Sequence, residues 1–210
     1  FKFVISIPQF VIRVIIATMN LLKKVYLTIE GYDLIRQGET ILCAVSGGPD
    51  SVVMLHALKE INEIQQADWK IHVAHINHGL RGKAGAEDQD FARGLAEKLG
   101  MPFHTTTVNV KKIREKKKQS TEEAGRNVRH QWLHETAMKI KAQKIALAHN
   151  LDDQSETILH RILRGTGLRG LKGMSPIRLI SRKHDLFLVR PMLEVERFEI
   201  EAFLKERNLP

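Results

Sequence analysis

Residues 40–58 decide the fold of this chain, and they read Thr40-Ile-Leu-Cys-Ala-Val-Ser-Gly-Gly-Pro-Asp-Ser-Val-Val-Met-Leu-His-Ala-Leu58. The apolar run at 41–45 has the length of a buried strand. Six small or polar residues follow at 46–51, and apolar residues then return at helical spacing from Val52. The pattern predicts a strand, a tight loop and a helix, with the loop at the helix N-terminus.

The loop at 46–51 has the features of a phosphate-binding site. Its two successive glycines lack Cβ atoms, so backbone N–H groups can come close to an anion. Its two serines add hydroxyl donors, and the helix dipole adds about half a positive charge. Pro49 has the φ angle that a first helical turn requires. The alternative is a strand-to-helix turn that is merely rich in capping residues.

Asp50 lies within this predicted phosphate loop. Its carboxylate would repel a phosphate unless a cation lay between them, which predicts Mg²⁺ bridging Asp50 to phosphate oxygens. The loop is not a Walker A motif, because no Gly-Lys-Ser/Thr sequence follows the glycines.

Composition sets broad limits on the class of protein. With 210 residues, 43% of them hydrophobic and 27% charged, the chain is typical of one soluble α/β domain with short appendages. Its 33 Lys and Arg against 24 Asp and Glu leave a net charge of +9, which favours a polyanionic partner. The single cysteine, Cys43, lies in the apolar strand and excludes a disulfide framework or a Cys₄ metal site within this chain. A reducing compartment is expected.

The first eighteen residues are very apolar but make a poor membrane span. They contain Lys2, Pro8 and Arg13, and they lack the small-residue cleavage site of a signal peptide. An amphipathic stretch begins at Met19. We therefore expect residues 1–18 to be an extension upstream of the functional start, and we expect no membrane partner.

The remainder of the chain alternates strands and helices, which predicts a parallel sheet. Further strands are predicted over residues 70–76, 101–107, 144–148 and 186–190. Helices are predicted over residues 84–99, 120–140 and 195–207. Another helix is predicted to follow the fourth strand and to continue to residue 164.

Polar clusters follow two of these strands, at 75–81 and 149–157. Loops at the carboxyl ends of parallel strands share one crevice, so both clusters should lie beside the phosphate loop. In the predicted helix that contains the second cluster, the apolar stripe consists of Leu151, Ile158, Leu159, Ile162 and Leu163. This leaves Asp153, Glu156 and His160 on another face. Two carboxylates on one face predict a cation or ammonium site.

A zinc site is the alternative use of the first polar cluster. It would take His72, His75 and His78 as ligands. Residues three apart in a strand point to opposite faces, and no Cys or carboxylate completes a tetrahedral set, so we disfavour this site.

Basic residues concentrate in two segments, 111–118 and 164–172. Each is either a solvated surface or a contact with nucleic-acid phosphates. Arg126 and Arg129 lie near the start of a predicted helix, where the dipole disfavours a cation, which suggests another use for at least one of them.

The phosphate loop resembles the PP-loop of the N-type ATP pyrophosphatases, which cleave ATP between its α- and β-phosphates. Four further motifs, in order and spacing, resemble the tRNA(Ile)-lysidine synthetase family from about Lys24 onward. They are His75-Ile-Asn-His-Gly-Leu-Arg81, Glu122-Glu-Ala-Gly-Arg-Asn-Val-Arg129, Ala148-His-Asn-Leu-Asp-Asp-Gln-Ser-Glu-Thr157 with Arg164-Gly165, and Val189-Arg-Pro-Met-Leu193.

This resemblance implies an α/β, Rossmann-like fold of the adenine nucleotide alpha hydrolase type, with a mostly parallel sheet and helices on both faces. It implies a cytoplasmic ligase that uses ATP and Mg²⁺ to adenylate the C2 oxygen of cytidine 34 in the CAU anticodon of tRNA(Ile). L-lysine then attacks C2, and AMP and pyrophosphate are released. A homodimer is one assembly left open.

The resemblance also implies roles for individual residues. ATP binding falls on Ser46, Gly47, Gly48, Pro49, Asp50, Ser51, His75 and Asn77, with Mg²⁺ on Asp50. Catalysis falls on Asp50, Arg129, Asp153 and Glu156, and binding of lysine or tRNA falls on His149, Asp153, Glu156 and Arg164. His130 stands where the family usually has tyrosine.

The implied domain organisation is a catalytic domain over 19–193 and a closing helix over 194–210, which would lead into the tRNA-binding domains of the family. Two rival functions remain. One is a tRNA thiolation enzyme of the same superfamily, which relies on reactive cysteines, and the other is a non-catalytic adenine-nucleotide-binding module.

Overall fold

The computed structural model of the chain describes residues 9–79, 82–108, 120–167 and 170–210. Its helices are α1 Gln9–Gly31, α2 Pro49–Gln65, α3 Lys83–Lys98, α4 Thr121–Lys139, α5 Leu151–Leu163 and α6 Arg197–Glu206, with a 3₁₀ turn at Gly170–Lys172. Its strands are β1 Thr40–Ala44, β2 Lys70–Asn77, β3 Phe103–Thr107, β4 Lys144–Ala146, β5 Ile177–Ser181 and β6 Leu186–Val189.

The six strands form one sheet in the order β3-β2-β1-β4-β6-β5. All neighbouring pairs are parallel except β5 and β6, which are antiparallel. The predicted mostly parallel, Rossmann-like sheet is confirmed. Strand β5 was not predicted, because it is an edge strand with a largely exposed pattern and so lacks a continuous apolar run.

Alternation along β1 places helices on both faces of the sheet, as predicted. Ile41 and Cys43 point into a core shared with α1, α2, α3 and α6. Leu42 points the other way, into a smaller core that includes Leu133 and Ala137 of α4. Burial raises the pKa of the Cys43 thiol to about 12, so this cysteine is a core residue.

Helix α1 begins at Gln9, upstream of the amphipathic stretch that starts at Met19. The helix is continuous from Gln9 through Met19, because Pro8 precedes it and no helix-breaking residue lies between them. Its inward face includes Leu21, Val25 and Ile29, as predicted from the amphipathic stretch. Within the described ranges, no helix combines the length and the apolar character that crossing a bilayer requires.

The strand order reverses between β1 and β4, which lie side by side at the centre of the sheet. In open parallel sheets a crevice forms at the carboxyl ends of the strands at such a point. Residues that follow β1, β2 and β4 therefore share one site.

Candidate active site

A cavity of about 440 Å³ opens at the carboxyl ends of β1, β2 and β4. The predicted site residues that line it are Ser46, Asp50, Ser51, His75, Asn77, Arg129 and His149. Gly47, Gly48, Pro49, Asp153, Glu156 and Arg164 do not line it. The structure thus brings the phosphate loop together with both polar clusters, as the parallel sheet predicts.

The serines of the phosphate loop hold its shape. The Ser51 hydroxyl donates to the Gly48 carbonyl at 2.8 Å and accepts from the Ser46 backbone N–H at 3.2 Å. The Ser46 hydroxyl accepts from the Gly48 N–H at 3.3 Å. Gly47 has φ +92°, a conformation that L side chains rarely adopt, so the turn requires glycine.

Helix α2 begins without a side-chain cap. Its N-cap is Gly48, no side chain bonds to the first-turn N–H groups, and Pro49 occupies the first turn. The N–H groups and the positive end of the dipole are therefore open to an anion, without competition from a capping side chain.

Asp50 is held by two residues that the sequence did not reveal. The Arg197 Nη1 atom lies 3.2 Å and 3.4 Å from its two carboxylate oxygens. Asn150 Nδ2 donates to Asp50 Oδ1 at 3.3 Å. Asn150 also caps α5, so it joins the phosphate loop directly to the start of the acidic helix.

The β2 side of the cavity is braced by hydrogen bonds. The buried His75 ring donates from Nδ1 to the Val45 carbonyl at 2.9 Å. Asn77 donates to the Gly85 carbonyl at 2.9 Å and accepts from the Gly79 N–H at 3.0 Å. The side chains of both predicted ATP-binding residues thus hold backbone segments around the cavity in place. This geometry supports a positioning role.

His78 carries an open polar atom in the cavity wall. Its buried Nδ1 has no hydrogen-bond partner among the described residues, and the ring lines the cavity. Burial, followed by the charge of Arg129, lowers the pKa of His78. A neutral ring with an unpaired nitrogen suits a polar ligand.

His149 is held in one tautomer. Burial, followed by the charge of Arg190, lowers its pKa to about 4, so the ring is neutral at pH 7. Arg190 Nε donates to His149 Nδ1 at 3.1 Å, which leaves the ring proton on Nε2 as a donor. Arg190 was not singled out from the sequence, although it lies in the Val189-Arg-Pro motif at the end of β6.

Positive charge surrounds this part of the cavity. Burial, followed by the charges of Arg178 and Arg126, lowers the pKa of Arg190 to about 10. Partial desolvation and Arg126 also lower the pKa of Arg129. The guanidinium groups of Arg126 and Arg178, which lower the pKa of neighbouring arginines, contribute to a positive field that favours an anion.

The two predicted carboxylates of α5 have different surroundings. Asp153 forms a capping box with Asn150: its carboxylate accepts the Asn150 N–H at 3.0 Å, and its own N–H donates to Asn150 Oδ1 at 3.0 Å. Glu156 is exposed one turn further on, as is Arg164 beyond the helix end. Asp153 therefore stabilises the helix start, and Glu156 is open to solvent.

The apolar stripe of α5 is not buried as expected. Leu159, Ile162 and Leu163 are 57%, 50% and 77% exposed. The 3.6-residue periodicity identified the helix correctly, but it did not specify which element, if any, covers that face.

Other residues considered from the sequence lie elsewhere. His72 pairs with His104, Nδ1 to Nε2 at 3.0 Å, and so does not converge with His75 and His78. Among the residues that the structure describes, no group of three or more His, Cys, Asp or Glu side chains is placed to hold a metal ion. The basic segment at 111–118 lies outside the described residues, as do Leu80, Arg81, Leu168 and Arg169.

Comparison with known proteins identifies the family of the chain. A family model described as a PP-loop domain matches residues 18–210. The tRNA(Ile)-lysidine synthase of Clostridium acetobutylicum is 41% identical over 182 residues, covering 87% of this chain and 38% of that protein. The enzyme of the same name from Clostridioides difficile is 42% identical over 186 residues, covering 89% and 38%. The chain therefore spans 38% of the length of these curated relatives.

A solved structure shows the same fold. The U34-tRNA thiolase NcsA from Methanococcus maripaludis superposes with a TM-score of 0.73 at 20% identity, covering 92% of this chain and 65% of that one. The predicted resemblance to tRNA(Ile)-lysidine synthetases is confirmed by the relatives of that name, and the loop at 46–51 lies within the matched PP-loop domain. This chain belongs to the PP-loop family.

Proposed function

We propose that the chain is the ATP-using part of a tRNA(Ile)-lysidine synthetase. In the proposed reaction the C2 oxygen of cytidine 34 in a CAU anticodon attacks the α-phosphorus of ATP and pyrophosphate leaves. The amine of L-lysine then attacks C2, and AMP departs with the former C2 oxygen. The observation that carries the proposal is that Asn150 joins Asp50 of the phosphate loop to the start of the acidic helix α5.

The uncapped start of α2 is the proposed site of the departing pyrophosphate. Its N–H groups and dipole are fixed before ATP arrives, so they can stabilise charge that grows on the leaving group without reorganising. No Walker lysine is present to direct attack to the γ-phosphate. This favours cleavage between the α- and β-phosphates.

The donor set at Asp50 fits Mg²⁺. This ion is usually bound by one or two carboxylates together with phosphate oxygens, so a site completed by ATP needs no larger protein cluster. We propose that Asp50 holds Mg²⁺, which when bound would neutralise charge on the phosphates.

The arginines around His149 support the nucleotide and the transition state in this proposal. Arg129 lines the cavity, and the depressed pKa values of Arg129 and Arg190 are consistent with a site arranged for an anion. His149 contributes a neutral N–H donor that does not add to the local charge.

Lysine is the proposed ligand of the α5 carboxylates. Glu156 is exposed and suits an ammonium group, whereas Asp153 is already engaged in the capping box. We therefore propose that Glu156 makes the direct contact and that Asp153 positions the helix start.

The tRNA is the proposed polyanionic partner, and the reaction would take place in the cytoplasm. The net charge of +9 and the basic segments at 111–118 and 164–172 support this. Affinity for an anticodon stem-loop should then fall steeply with salt, and replacing several of these lysines by glutamine should reduce that slope by about one for each phosphate that is no longer neutralised. An unchanged slope would indicate that these segments are solvated surface and do not contact tRNA phosphates.

The decisive experiment follows ATP and one oxygen atom. The chain, with the C. acetobutylicum relative as positive control, is incubated with ATP, L-lysine and a CAU stem-loop carrying ¹⁸O at C2 of cytidine 34. We expect AMP and pyrophosphate, with the label in AMP. Release of ADP and phosphate would refute the PP-loop chemistry, whereas unlabelled AMP would keep pyrophosphate release and refute the lysidine reaction.

The thiolation alternative shares the fold but not the chemistry of this chain. The only cysteine of this chain, Cys43, is fully buried, and burial raises the pKa of its thiol to about 12. Cys43 therefore does not supply a thiolate at neutral pH. Replacing it with serine should cost stability more than activity. An inactive Cys43→Ser protein of unchanged stability would revive the thiolation alternative.

A further inference from the structure

Arg197 connects the last helix to the proposed metal ligand. It is the first residue of α6, and its Nη1 lies 3.2 Å from Asp50 Oδ1. Its Nε lies 3.2 Å from Glu201 Oε1, one turn along the same helix. The guanidinium therefore bridges two carboxylates, one in the site and one outside it.

The position of Arg197 is unfavourable for its own helix. A cation in the first turn of α6 is repelled by the positive end of the helix dipole, whereas Asp50 in the first turn of α2 is favoured by its dipole. The contact with Asp50 offsets this repulsion. The Arg197 and Asp50 side chains are 45% and 29% exposed, so the pair is open to exchange with a dissolved cation.

We propose that Arg197 is a positioning residue that neutralises Asp50 until a divalent cation takes its place. With Mg²⁺ bound, Asp50 would serve as its ligand, and Arg197 would keep its contact with Glu201. This inference rests on the proposed metal site at Asp50, but not on lysine or tRNA as substrates.

Arg207 provides a matched control at the other end of α6. It makes the same kind of contact across the same two helices, from Nη2 to Glu60 of α2 at 2.9 Å, with 38% of its side chain exposed. Arg207→Gln thus removes an equivalent ion pair between α6 and α2 far from Asp50.

The test measures how strongly Mg²⁺ improves nucleotide binding. Affinity for an ATP analogue with a methylene group between the α- and β-phosphates is measured by calorimetry, in Mg²⁺ and in EDTA, at low ionic strength. The readout is the dissociation constant in EDTA divided by the dissociation constant in Mg²⁺. Without Arg197, a bare Asp50 repels the metal-free nucleotide and is free to bind Mg²⁺, so Arg197→Gln should raise the ratio about two- to five-fold, the range of a part-exposed ion pair.

The other variants make the result specific. Arg197→Lys keeps the charge and should restore most of the original ratio, Arg207→Gln should leave it unchanged, and Asp50→Asn should bring it close to one. The proposal is overturned if Arg197→Gln changes both affinities by the same factor, as a structural role or a direct phosphate contact would. It is also overturned if Asp50→Asn leaves the ratio intact, whatever the outcome of the lysine reaction.

Discussion

Helices α2 and α5 start at the same edge of the sheet, after neighbouring parallel strands, but their first turns are built in opposite ways. Helix α2 begins with Gly48 and Pro49 and has no side-chain cap. Helix α5 begins with Asn150, which forms a complete capping box with Asp153. One helix start is open to a ligand anion, and the other is closed by its own side chains.

The difference in capping assigns different ligands to the two helix starts, whereas the helix dipole alone would predict an anion at both. Both helix starts carry partial positive charge, so both attract anions in principle. Only α2 leaves N–H groups without side-chain competition, whereas the carboxylate of Asp153 satisfies the start of α5. The phosphates of ATP are therefore expected at α2, and polar or cationic groups are expected further along α5.

Replacing the carboxylate at the open helix start should have the largest effect. Asp50→Asn removes the proposed metal ligand but keeps its size, and we expect pyrophosphate release to fall by about 100-fold or more. Asp152→Asn is the control, because Asp152 is an exposed carboxylate in the first turn of α5. Equal losses in the two variants, at unchanged thermal stability, would contradict the distinction between the helices.

Changing the two α5 carboxylates separately tests which one meets lysine. Glu156→Gln should raise the KM for lysine by about ten-fold, the effect of losing one charged hydrogen bond, without changing stability. Asp153→Asn should impair lysine use and also lower the urea midpoint, because it disrupts the capping box. If Asp153→Asn changed only the KM and Glu156→Gln changed only stability, the two assignments would have to be exchanged.

Much of this site could be predicted from local sequence. The apolar run of β1, the two glycines and the helical spacing after them specify a strand, a loop and a helix within twenty residues. Parallel topology then implies that His75 and His149 approach the loop, because each follows the carboxyl end of a strand. These predictions needed no knowledge of distant contacts.

The remaining features depend on contacts between distant residues. Arg197 and Asp50 are 147 positions apart, and no local pattern links them. Strand β5 is an edge strand without a buried run, and its pairing with β6 follows from the hairpin. Asn150 was more accessible to sequence reasoning, because asparagine between a strand and a helix is a common N-cap, although its bond to Asp50 was not foreseeable.

Removing the N-cap of the closed helix start should have a moderate effect on stability. Asn150→Ala removes both the capping bond and the hydrogen bond to Asp50, and we expect the free energy of unfolding to fall by about 2 kcal/mol. Ser120→Ala is the matched control, because Ser120 caps α4 through one bond from Glu123 N–H at 3.1 Å, and should cost about 1 kcal/mol. Equal costs in urea titrations would show that the bond to Asp50 adds nothing.

The last expected effect concerns pH and His149, the residue before the α5 cap. His149 has a pKa of about 4 in the folded protein against an ordinary value of 6.5, because of burial and then Arg190. As pH falls from 7 to 5 the unfolded chain takes up a proton that the folded chain does not, so stability should decline by about 2 kcal/mol from this group. Other half-buried histidines with lowered pKa values, such as His78 and His130, act in the same direction.

The contribution of His149 is therefore read from the slope of stability against pH. His149→Asn removes the titrating ring, and although it leaves Arg190 Nε without its acceptor and lowers stability at every pH, the decline between pH 7 and 5 should become shallower. Urea midpoints measured at half-unit steps of pH give both quantities. An unchanged slope would mean that His149 binds its proton equally in the folded and unfolded chain. The ring next to the α5 cap would then make no contribution to the pH dependence of stability.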